Sequence, residues 1–98
     1  MDENTYYIFL NELYKNIINS KSDFVNLELS IDNNLLLFNG YINLCLGKNP
    51  MYEYDEYYIK NVSFIKYQIN SIDLSTGEVT LLTLNVDKLI NDLKDISL

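Results

Sequence analysis

The chain has 98 residues and a net charge of −7, and it contains no Ala, Arg, His or Trp. Its length suits one domain, residues 1–98, and 48% hydrophobic with 21% charged residues describes a globular chain, not a disordered one. All seven cations are lysines, at positions 15, 21, 48, 60, 66, 88 and 94; charges so dispersed do not build the basic patch that grips a phosphate backbone or an anionic membrane, so neither direct nucleic-acid binding nor membrane docking is expected.

The stretch NTYYIFLNELYKNIINS has helical period. Tyr6, Phe9, Leu10, Leu13, Tyr14, Ile17 and Ile18 fall on one face and Asn11, Glu12, Lys15, Asn16 and Asn19 on the other. Asn4 is the expected N-cap, Asp2 and Glu3 suit the positive end of the helix dipole, and Asn19-Ser20 marks the end. In DFVNLELSID, Val25, Leu27, Leu29 and Ile31 alternate with polar residues, which predicts a strand with one buried face. Asp32-Asn33-Asn34 predicts a tight hairpin, because Asn tolerates positive φ. The returning strand LLLFNGYINLCLG places Leu36, Phe38, Ile42, Leu44 and Leu46 on one face. Leu35, Leu37, Tyr41 and Cys45 lie on the other, so that side is expected to be partly covered too. Gly40 is the expected site of a bulge or bend.

Gly47-Lys48-Asn49-Pro50 is the expected loop and holds the only proline. The extended run YYIKNVSFIKYQINSID then changes phase: Val62 and Phe64 are even, whereas Ile65, Tyr67 and Ile69 are odd. A bulge near 63–65 accounts for this. Ser75-Thr76-Gly77 predicts a second hairpin with Gly77 in the left-handed region, and EVTLLTL the last strand. Asn85 or Asp87 caps a final helix striped by Val86, Leu89, Ile90, Leu93 and Ile96. Strands flanked by helices, not alternating with them, predict an α+β fold: a four- to five-stranded antiparallel sheet with both helices on one face. The other face then carries Asn26, Glu28, Asn39, Asn43, Lys66, Gln68 and some tyrosines.

Catalytic chemistry is hard to build from this inventory. No histidine can act as a base near neutral pH, and no arginine can clamp a phosphate or carboxylate. Cys45 is the only cysteine, has no His to activate it, and lies between Leu44 and Leu46, where a buried structural thiol is expected. One Cys and no His offer no zinc site, and the separated glycines make no phosphate loop. No enzyme activity, cofactor or metal is expected. MDENTYY has neither the basic nor the apolar region of a secretory leader, and a single cysteine fits a reducing compartment, so a cytoplasmic protein is expected.

Binding chemistry is better supplied. YEYDEYY, residues 52–58, packs four tyrosines and three carboxylates into seven positions with no base among them. Tyr52, Glu53, Tyr54, Asp55, Glu56 and Tyr57 are the candidate partner-binding residues. Tyrosine offers rigid contact area with a hydroxyl, and carboxylates steer a basic partner. The bland alternative has alternate tyrosines packing on the sheet while the acids face water. In profile, short, acidic and without catalytic groups, the chain resembles phage and mobile-element proteins that disarm host defence nucleases, anti-CRISPR proteins among them. No signature motif carries this resemblance. It implies a decoy that blocks the basic nucleic-acid-binding surface of an enzyme, monomeric or weakly dimeric. An immunity protein or antitoxin against a basic toxin belongs to the same physical class. A homodimeric or particle-forming assembly module is the alternative.

Overall fold

The computed structural model describes residues 1–48 and 57–97. The protein is α+β, in the order α1 (Glu3–Ser20), β1 (Phe24–Ile31), β2 (Asn34–Lys48), β3 (Tyr57–Asp73), β4 (Val79–Leu82) and α2 (Val86–Ser97). The four strands form one antiparallel sheet in sequence order, a meander.

The helix stripes read from the sequence are the faces that pack. Phe9, Leu10, Leu13 and Ile17 of α1 and Leu89 and Leu93 of α2 are buried against Val25, Phe38, Ile42, Ile59, Val62 and Ile69, so both helices cover the same side of the sheet. Phe38 is the aromatic centre of this layer. Its ring meets Phe9 edge-on at 5.3 Å and Phe64 at 6.0 Å, and stacks with Tyr67 at 6.4 Å. Gly40 lies beside it, and a Cβ there would sit 3.1 Å from the Phe38 ring. The glycine makes room for the ring; β2 itself has no extra residue at this position.

The bulge belongs to β3. Tyr41 pairs with Lys66 but Ile42 pairs with Phe64, which leaves Ile65 as the extra residue. A second shift, between Cys45 and Leu46, leaves Lys60 unpaired. Each inserted residue reverses the inward phase, so Val62 and Phe64 can share a face with Tyr67 and Ile69. Ile65 is consequently turned out, at 74% exposure.

Several ends differ from the sequence expectation. Asp2, not Asn4, caps α1: its carboxylate accepts from the Thr5 N–H at 2.7 Å, which starts the helix earlier. Lys21 closes α1 in the left-handed region, φ 51°. In the first hairpin Asp32 takes the positive φ, 53°, and Asn34 already belongs to β2. Gly77 takes φ 76°, as its turn requires. Asn85 caps α2, accepting from the Lys88 N–H at 3.2 Å. β4 is shorter than EVTLLTL, because Leu84 is drawn off the sheet by the Tyr67 hydroxyl. That hydroxyl donates to the Leu84 carbonyl at 3.3 Å and accepts from its N–H at 3.2 Å.

Candidate protein-binding surfaces

Of the six residues singled out in YEYDEYY, Tyr52, Glu53, Tyr54, Asp55 and Glu56 lie outside the described residues. Tyr57 opens β3 opposite Lys48 and is half-buried, with the Lys21 ammonium 3.9 Å from its ring centroid. A cation over the ring face is an attractive contact, and here it ties the start of β3 to the end of α1.

Other acids divide into committed and free-standing groups. Asp92 sits between the helices, where its Oδ2 accepts from the Tyr6 hydroxyl at 2.5 Å and from the Lys88 ammonium at 2.8 Å. The Lys88 ammonium also lies 4.1 Å from the Tyr6 ring centroid. These bonds, the lysine's first, hold the Asp92 carboxyl below the usual range and raise Lys88. Burial, reinforced by the bond to Asp92, pushes the Tyr6 hydroxyl up to about 12. Glu12 pairs loosely with Lys15 at 3.6 Å. Asp87, Asp95 and Glu28 are exposed.

The fold gathers one set of acids that sequence distance conceals. The two hairpin turns are tied together: the Leu74 N–H donates to the Asn33 carbonyl at 2.9 Å, and the Asn33 amide donates to the Ser75 hydroxyl. The start of α1 adjoins this end, because Asp2 and Thr5 line a cavity of about 280 Å³ with Asp32, Asn34, Ser71 and Thr80. The start of α2 adjoins it too, across a cavity of about 400 Å³ shared by Asp2, Glu3, Tyr6, Asn85 and Lys88. Asp2, Glu3, Asp32, Asp73 and Glu78 therefore lie towards one end of the molecule, and Lys88 lines the adjoining cavity. Two of these carboxylates also hold backbone: Asp2 caps α1, and Asp73 accepts from the Ser75 N–H at 2.8 Å. The bond from Thr5 keeps Asp2 below its ordinary value and so ionised.

The sheet face away from the helices is the second surface. Leu35 and Leu37 are half-buried whereas Tyr41 and Cys45 are exposed, so the partial cover expected for this side holds only towards the turn end of β2. Cys45 is not the buried thiol the sequence suggested: with Leu44 and Leu46 facing the helices, period two sends the residue between them outward. Phe24 and Tyr41 form a cross-strand pair, ring centroids 5.1 Å apart, at 42% and 55% exposure. Ile65, Val79 and Leu81 are more exposed still. The leucines and the tyrosine on the outer side of β2 signalled this apolar face; the outward turn of Ile65 came from a bulge that reads only as a phase change.

Among the described residues no group of three or more His, Cys, Asp or Glu is placed to hold a metal ion, and no helix is long and apolar enough to cross a membrane. No protein-family model matches the chain, and comparisons with curated proteins and with solved structures give no match.

Proposed function

We propose that the protein is a small acidic, non-catalytic inhibitor acting in the cytoplasm. It binds the basic nucleic-acid-binding surface of another protein, as an anti-CRISPR-like or other anti-defence decoy of a phage or mobile element. Its carboxylates stand where the target expects phosphates. The observation that supports this reading is the gathering of Asp2, Glu3, Asp32, Asp73 and Glu78, from three separate segments, towards one end of the molecule. Like charges gather at a cost to stability, and a concentrated field speeds encounter with an oppositely charged partner. Glu53, Asp55 and Glu56, with Tyr52, Tyr54 and Tyr57, form a second acidic group in the chain around the start of β3.

The test is competitive capture. With the protein immobilised, basic nucleic-acid-binding proteins should be retained from an extract of the host and released by duplex DNA, by RNA or by salt. Two sets of substitutions then locate the contact: Glu53→Gln, Asp55→Asn and Glu56→Gln together, and Glu3→Gln, Asp32→Asn and Glu78→Gln together. The set that carries the contact should slow association and flatten its salt dependence, because exposed charges act over roughly 8–10 Å before salt screens them. A specific partner that nucleic acid fails to displace would refute the decoy reading.

A further inference from the structure

We propose that the helix-free face of the sheet is a self-association surface, on which a second copy of this chain packs face to face about a two-fold axis. This is independent of the decoy reading, since it uses a different surface.

Charge selects the occupant. Two copies at −7 each repel through most of their surface. Over the rungs that β1 spans, with the bulged Ile65 beside them, the outward positions of the open face are 24, 26, 28 and 30 of β1, 35, 37, 39 and 41 of β2, 65, 66, 68, 70 and 72 of β3, and 79 and 81 of the shorter β4. The charged residues among them are Glu28 and Lys66, one of each sign. A like-charged copy can approach here without facing a net charge, whereas a strongly basic partner gains more at the acidic end.

Chemistry points the same way. Asn26, Asn39, Gln68 and Asn70 form a polar band across the middle, with aliphatic residues at the turn end and Phe24, Tyr41 and Ile65 at the other. An amide carries both donors and an acceptor, so identical amides can bond to each other across a two-fold axis, as identical carboxylates cannot. The exposed aromatic pair and Ile65 supply large apolar contacts of the kind that dominate interface energetics.

The area is adequate and modest. Three strands about 4.8 Å apart over the eight residues of β1, rising about 3.3 Å each, with the four residues of β4 added at one corner, give a flat footprint of roughly 400 Å². Side-chain relief brings the surface buried by both copies to roughly 1,000–1,200 Å², the lower edge of a specific interface. A weak, reversible dimer follows, with the two sheets about 10 Å apart and their strands within about 30° of alignment.

Sedimentation velocity on the full chain, from micromolar to millimolar concentration, tests this. A monomer–dimer equilibrium that tightens as salt is raised is expected. Tyr41→Lys and, separately, Ile65→Lys should each raise the dimer dissociation constant at least about tenfold, while leaving the melting temperature of the dilute monomer unchanged. Both residues are outside the buried core, so at least one variant should remain folded. Capture of a basic partner should be unaffected by either, which separates failure here from failure of the decoy reading. A monomer at every concentration, a dimer indifferent to both substitutions, or a series growing beyond the dimer would each overturn the proposal.

Discussion

Replacing Tyr67 by Phe isolates the contribution of one hydroxyl. The ring stays stacked on Phe38, so core packing is preserved and only two hydrogen bonds are lost, at 3.2 and 3.3 Å to the backbone of Leu84. Each such bond contributes roughly 0.5–1.5 kcal/mol net. Both are rather long and the site is only half-buried, so water can partly replace them, and a total near 1 kcal/mol is expected. For a domain of this size that lowers the melting temperature by about 4–8 °C and the urea midpoint by about 0.5–1 M. Amide hydrogen exchange should also show the Leu84 N–H losing protection while the Ile69 amide keeps it. Tyr7→Phe, at an exposed position, is the control and should fall within about 0.5 kcal/mol of the parent. If Tyr67→Phe is indistinguishable from this control, the hydroxyl does not hold the segment between β4 and α2.

The bonds around Asp92 should make stability depend on pH at both extremes. Asp92 is held below its ordinary value by Lys88 and Tyr6, so its contribution is present above about pH 4 and is lost as pH falls further. Asp92→Asn should flatten that acid limb in urea titrations made at a series of pH values. Tyr6 is raised to about 12, so its contribution is complete below about pH 10 and is lost as pH rises through the folded value; Tyr6→Phe should remove this alkaline loss. Gly40→Ala should destabilise the protein by about 1–3 kcal/mol in denaturant unfolding, because the new methyl presses on the Phe38 ring. Cys45 should react with a thiol reagent in the native protein about as fast as in denaturant, and strong native protection would place its strand the other way up.

Much of the fold could be read from period alone. Both helix stripes, the alternation in β1 and the phase change in β3 are local patterns imposed by burial, and each corresponds to a face that packs. Cys45 sits in an apolar run, which favours burial, but strict alternation with Leu44 and Leu46 places it outside. Asn4 lost the cap to Asp2 because either side chain can cap, and the choice depends on where the first turn meets the sheet. The short β4 depends on the Tyr67 hydroxyl reaching Leu84, a contact 17 residues apart in sequence with no local signature. The acidic end is invisible for the same reason: Asp2, Asp32 and Asp73 come to one end only once the meander sets both turns beside the start of α1.

The unequal lengths of the two central strands have a consequence for shape. β2 has 15 residues and β3 has 17, yet they are joined rung by rung from end to end. The two surplus residues of β3, Ile65 and Lys60, leave the ladder as bulges, and a bulge bends its strand and increases the local right-handed twist. Both lie between the turn end of the sheet and Tyr57, whose ring meets Lys21. The places of these bends are set by counting residues along the two strands. Adding one residue to β2 opposite Ile65 and another opposite Lys60 would restore plain alternation and turn Ile42, Leu44, Val62 and Phe64 out of the core, so the unequal count is what lets this part of the arm face the helices.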